Sequence, residues 1–164
     1  MEKIYTTIKS KGIMGIYWVS PVFILFMMFG VPFLADEEMS GNDRNVFFIV
    51  FGIIFIWLCY IIYRIYKMRY VINNNEITIH GAFNKNVIKI NEIEEIKRSP
   101  IPFGIRLFGG LFIGGRYYLP GIGKAWVAMT NFKDGVFIKT RASENYVITP
   151  KDPDDFITYV TNNK

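Results

Sequence analysis

One cysteine and one histidine stand among 164 residues, and that scarcity removes whole classes of chemistry. With Cys59 alone, no disulfide can form within the chain, and its place in an apolar run fits a small packing residue. With His80 alone, no Ser-His-Asp arrangement can be assembled, and no grouping of His, Cys and carboxylates has metal-ligand spacing. His80 lies beside Gly81 in a short alternating stretch, where a surface or turn residue is expected. Glu92, Glu94 and Glu95 form a run that most simply solvates an exposed edge. A non-catalytic protein without metal or cofactor is expected.

Charge is also missing, in two places only. Residues 12–35 hold no charged side chain in 24 positions, and residues 45–63 hold none in 19. A helix of about twenty residues crosses a hydrocarbon layer of roughly 30 Å, so both runs are long enough to span it. Core helices of soluble proteins keep a polar stripe, which these runs lack. The first run is too long for the apolar part of a signal peptide, and no small-x-small cleavage site follows it. Both are read as transmembrane helices. Neither has an ionisable residue in its core, which argues against an ion path. Pro21 and Pro32 are candidate kinks, and Gly12, Gly15, Gly30 and Gly52 offer points of close approach.

The flanks orient the pair. Lys3, Lys9 and Lys11 precede the first run against Glu2, and Arg64, Lys67 and Arg69 follow the second, whereas residues 36–44 carry four acids and one base. By the positive-inside bias both termini are cytoplasmic. The expected layout is a tail at 1–11, helices at 12–35 and 45–63, an external turn at 36–44, a basic juxtamembrane segment at 64–69 and a cytoplasmic domain at 70–164. The protein is thus expected to be a multi-pass protein of the cell membrane. Arg64, Lys67 and Arg69 serve topology first, and near anionic lipid each would add about 1 kcal/mol.

Beyond residue 70 the pattern becomes one of short alternating segments. Ile77 and Ile79 face one way and Thr78 and His80 the other. Asn73, Asn74 and Asn75 suit a turn, and Val136 and Ile138 alternate with Phe137 and Lys139. About seven short strands joined by Asn, Asp and Gly turns predict a small antiparallel sandwich or barrel. The chain then offers Asp152 as N-cap, Pro153 at the first helical position, Asp154 and Asp155 in the first turn, and an apolar face of Phe156, Tyr159 and Val160. Capping uses all three aspartates without calcium. Twelve Lys or Arg against nine Asp or Glu leave residues 70–164 only mildly basic, and no nucleic-acid partner is expected.

These elements resemble the bacterial pleckstrin-homology-like family. Its Arg-x-Phe-Gly segment, glycine series, Gly-x-Gly before a strand and Thr-Pro-x-Asp-x-x-x-Phe helix entry correspond here to Arg106, Phe108, Gly109, Gly114, Gly115, Gly121, Gly123, Thr149, Pro150, Asp152 and Phe156. The resemblance covers about residues 66–161. It implies a PH-like sheet domain closed by a C-terminal helix, which with the two apolar runs gives the expected α+β fold: a two-helix transmembrane hairpin followed by that domain. It also implies a membrane address, and no known chemistry.

Residues 103–123 hold seven of the fourteen glycines. They are no phosphate loop: Tyr118 occupies the position of the first Walker glycine and Ala125 that of the metal-binding hydroxyl. They are no dinucleotide loop, since Trp126 replaces the third glycine. The uncharged stretch 107–115 is too short for a third span. Three uses remain: dipping into headgroups, docking another protein, or shaping irregular strands by positive φ and close approach. The candidate interaction surface is Arg106, Phe108, Phe112, Arg116, Tyr117 and Lys124. Its expected occupant is a protein partner or a second copy of the chain; the alternative is an anionic lipid headgroup read by Arg106, Arg116 and Lys124 together with the juxtamembrane cations.

Overall fold

The computed structural model describes residues 2–34, 40–73, 75–100, 104–110, 114–131 and 134–164, with backbone only at 13, 106, 109 and 110. They form two compact units, Lys11–Arg64 and Met1–Ser10 with Ile65–Lys164.

The first unit is helical. Helix α1 spans Lys11–Leu34, and α2 spans Gly41–Tyr66, so α2 begins before the expected residue 45. Ser40 explains the earlier start: its Oγ accepts from the Asp43 backbone N–H at 3.3 Å and donates to the Asp43 carboxylate at 2.7 Å, capping the first turn. Residues 35–39 of the expected turn lie outside the described residues. The apolar side chains point outward, with Ile16, Phe26, Phe33, Ile49, Ile56 and Trp57 all exposed. Phe29 and Phe48, with ring centroids 6.5 Å apart, join the two helices. The segments Met14–Leu34 and Gly41–Tyr66 are long and apolar enough to cross a membrane.

The second unit contains two sheets. Strands β1 (Lys3–Thr6), β2 (Arg69–Asn73), β3 (Glu76–His80) and β4 (Lys85–Lys89) pair antiparallel in chain order. A 3₁₀ turn at Ile90–Glu92 leads to β5 (Ile93–Ser99), β6 (Ile105–Gly110), β7 (Gly114–Leu119), β8 (Gly123–Ala128), β9 (Gly135–Thr140) and β10 (Asn145–Ile148), and the chain ends in helix α3 (Pro153–Asn162). The second sheet runs β5-β9-β10-β8-β7-β6. The expected sandwich or barrel is corrected in two respects. The sheets are open rather than closed into a barrel, and β10 pairs parallel with β8. The parallel pair arises because the tight β9–β10 turn folds β10 back into the gap between β9 and β8, where its direction matches that of β8.

The N-terminal segment, expected as a tail, is a working strand. Lys3 to Thr6 pair with Ile72 to Arg69, and the chain stays docked beyond them. The Lys151 N–H donates to the Thr6 carbonyl at 2.9 Å, the Ile8 N–H to that of Thr149 at 3.2 Å, and the Thr130 hydroxyl to that of Ile8. The Tyr5 hydroxyl and the Lys3 ammonium both reach the Asp155 carboxylate at 2.7 Å, fastening β1 to α3. Local periodicity could not reveal a four-residue strand whose partner follows more than sixty residues later.

Ile77 and Ile79 are fully buried, and Thr78 and His80 are half-buried on the other face, as the alternation requires. Tyr70 stitches the sheets together. Its buried hydroxyl donates to the Ala128 carbonyl at 3.0 Å and accepts from the Thr149 N–H at 3.1 Å, and burial pushes the phenol up to about 12. Phe156 of α3 meets both Tyr70 and Tyr5 edge-on, with centroids 6.3 and 5.0 Å apart. Asp152 caps α3 by accepting from the Asp155 N–H at 3.1 Å. Strand β9 breaks the alternation expected of it, because only Lys139 stays half-exposed. It is a central strand covered on both faces: α3 packs over β5 and β9, and Phe137 joins a cluster with Tyr117, Leu119, Ala125, Val127, Met129 and Val147.

Candidate functional site

In paired strands, residues directly opposite one another point to the same face. Following the register from the edge inward gives one continuous row: Phe108 on β6, Arg116 on β7, Trp126 on β8 and Tyr146 on β10. A second row on the same face joins Ile105, Tyr118 and Lys124. The outer members are open to solvent, Ile105 at 71%, Phe108 at 76% and Tyr118 at 51%, and the inner end closes down to Tyr146 at 8%. A bulge at Leu107 separates the pairs Arg106 with Tyr117 and Phe108 with Arg116, which sets Ile105 and Phe108 on a common face despite odd spacing.

Glycine makes this packing feasible. Gly114 begins β7 at φ +92°, and a Cβ there would lie 2.9 Å from the Trp126 ring. The backbone therefore passes directly over the indole. Gly123 at φ +85° starts β8 after the turn in which the Ile122 N–H donates to the Leu119 carbonyl at 3.1 Å.

Between these strands and β4 lies a cleft of about 230 Å³, lined among others by Asn86, Arg116, Lys124, Trp126, Glu144 and Tyr146. Trp126 and Tyr146 form its tilted aromatic wall, with centroids 6.4 Å apart. The Tyr146 hydroxyl donates to Glu144 at 2.6 Å, and burial together with that bond raises the phenol well above its ordinary value, against the opposing pull of Arg116. Among the described residues no carboxylate pairs with Arg116 or Lys124. The Asn86 side-chain nitrogen is buried without a hydrogen-bond partner among the described residues, an arrangement that costs about 1–3 kcal/mol. A larger cavity of about 590 Å³ lies on the opposite face, lined by Lys97, Lys139, Phe137 and the β7–β8 turn. Its cations are already neutralised, Lys97 by Glu95 at 2.7 Å and Lys139 by Glu94 at 3.0 Å.

Three of the six sequence candidates, Phe108, Arg116 and Lys124, therefore meet on one face. Tyr117 does not: alternation along β7 turns it to the opposite face, where it is buried at 4% exposure among Leu119, Ala125 and Val127. There it packs the sheet rather than facing the cleft. Arg106 holds its β6 position opposite Tyr117, its side chain lies outside the described residues, and Phe112 lies outside them altogether. Of the juxtamembrane cations, Arg64 lies in the last turn of α2, Lys67 follows the helix exposed, and Arg69 opens β2 opposite Thr6 and His80. Trp126, Tyr146 and Asn86 were not foreseen. The alternation of Lys124 with Trp126 was a usable signal for the first; nothing local links the other two to it. The described residues contain no group of three or more His, Cys, Asp or Glu placed to hold a metal.

Two open sheets and a C-terminal helix fastened across them give a PH-like α+β fold. Residues 68–163 match the family model described as bacterial PH domain, and the chain belongs to that family. No curated protein and no solved structure matches the chain.

Proposed function

We propose that the chain is a membrane-anchored, non-catalytic interaction module that docks a protein partner through the exposed face of β6, β7 and β8. One observation carries this reading: Ile105, Phe108 and Tyr118 stand exposed around Arg116 on strands at the open edge of the sheet. Aromatic and Arg side chains are the residue types that anchor protein interfaces. The partner face that fits is apolar with an acidic rim. The membrane address is supported by the outward apolar surfaces of α1 and α2 and by the return of both hairpin ends to adjacent strands, β1 and β2. An even number of crossings with both termini on the cytoplasmic side accommodates that connectivity.

Photo-crosslinking tests the reading. Full-length protein carrying a benzophenone amino acid in place of Tyr118 is irradiated in native membranes, with and without Phe108→Asp. A discrete adduct with one partner, reduced at least tenfold by Phe108→Asp, is expected. An adduct twice the mass of the chain would identify a second copy as the partner. No protein adduct, or one unaffected by Phe108→Asp, would reject this face as a protein interface.

A second reading, contact with anionic lipid headgroups, is favoured by one observation: among the described residues Arg116 and Lys124 have no carboxylate partner on that same face. Full-length protein extracted in mild detergent should then retain phosphatidylglycerol over phosphatidylcholine, and the Arg116→Glu, Lys124→Glu variant should lose that preference. An unaltered lipid ratio would reject it.

A further inference from the structure

We propose that the cleft between β4 and the β7–β8–β10 face is a binding site for a single phosphate group, carried by a small phosphate ester or a lipid headgroup. The proposal rests on the reading of Arg116 and Lys124 as anion contacts and adds a defined cleft to it.

Three donors line the cleft with no acceptor of their own among the described residues. Two are the cations Arg116 and Lys124, and the third is the buried Asn86 side-chain nitrogen. Arginine supplies a planar fork that matches phosphate oxygens, and lysine a point charge beside it. The one carboxylate in the lining, Glu144, accepts the Tyr146 hydroxyl at 2.6 Å and forms no ion pair with Arg116 or Lys124; its charge offsets one of the two cations and leaves the cleft one net positive charge for an external anion. A cleft of about 230 Å³ holds roughly eight waters, enough for a phosphate with a short polar substituent and too little for a nucleotide of drug-like size. Trp126 and Tyr146 exclude water from its floor, which strengthens a charge-assisted contact. In the larger cavity the internal pairs of Lys97 and Lys139 would have to break first, so it is the poorer anion site.

The test uses full-length protein in phosphatidylcholine nanodiscs, titrated with inorganic phosphate and with glycerol phosphate against chloride at matched ionic strength. The readout is Trp126 emission, isolated from Trp18 and Trp57 by subtracting the Trp126→Phe variant. A saturable change with phosphate and not chloride is expected. It should weaken at least tenfold in Lys124→Ala and in Asn86→Asp, which keeps the shape and replaces a neutral donor with a negative acceptor, and persist in Phe108→Asp. A non-saturable response, an equal response to chloride, or retained affinity in Lys124→Ala would overturn the cleft. Repeating the titration in phosphatidylglycerol nanodiscs assigns the source. A signal saturated before any addition identifies the headgroup, and one that still titrates identifies a soluble ester. If the cleft fails while the charge-reversed variant still loses its phosphatidylglycerol preference, the headgroup reading stands without the site. If the preference was never present, both fall.

Discussion

Thr6 lies directly across from Arg69 in an antiparallel pair, although 62 residues separate them in the chain. The helical hairpin is an insertion between two adjacent strands of one sheet, and the sheet domain is discontinuous in sequence. Replacing residues 11–64 with a short Gly/Ser linker should therefore give a domain with a cooperative unfolding transition and a defined aromatic circular dichroism signal. A fragment beginning at residue 70 lacks β1 and the start of β2, and should show neither. Equal behaviour of the two would show that β1 is dispensable.

Tyr70 offers a test of the seam between the sheets. Tyr70→Phe leaves the ring in place but strands the Ala128 carbonyl and the Thr149 N–H, both in a buried setting. The expected loss is about 1–3 kcal/mol in denaturant unfolding, with an unchanged fold. A loss below about 0.5 kcal/mol would mean that other groups take over both bonds.

Gly114→Ala should be costly for a different reason. The backbone sits at φ +92° and the added carbon meets the indole at 2.9 Å, so strain of about 1–3 kcal/mol accompanies displacement of Trp126. A shift of Trp126 emission together with lower stability is the expected signature. Gly12→Ala, where a Cβ meets nothing within 4 Å, is the control and should change neither.

His80 makes stability depend on pH near neutrality. Burial first, and then the cations Arg69 and Lys85, hold its imidazole below the ordinary 6.5. The folded protein then binds fewer protons than the unfolded chain in the window below 6.5, so stability falls as pH drops through it and is fully present above. The thermal midpoint of the full chain in detergent should decline from pH 7 towards acid, and His80→Gln should flatten that part of the profile. An identical slope in the variant would reject His80 as its source; Asp155, which Lys3 and then Tyr5 hold below its ordinary 3.8, loses its contribution only at lower pH, outside this window.

Much of the architecture was legible because it rests on local rules. Uncharged runs gave the helices, alternation gave β3, and Asp152 with Pro153 marked the start of α3. What escaped notice depends on distance in the chain. Strand β1, the parallel seating of β10 and the double burial of β9 follow from which elements become neighbours. The site shows the same division. Arg116 and Lys124 stood out as cations among glycines, whereas Tyr117 was misread because its face depends on the strand phase. Asn86 joined the cleft only through packing of one sheet against the other.

The insertion between β1 and β2 also imposes a timetable on synthesis. At about 5–20 residues per second, β2 leaves the ribosome roughly 3–12 s after β1. During that interval β1 has no strand to pair with, since its neighbours Thr149, Pro150 and Lys151 come later still. The sheet domain can close only after both helices have been made, so its completion reports that synthesis has passed the hairpin.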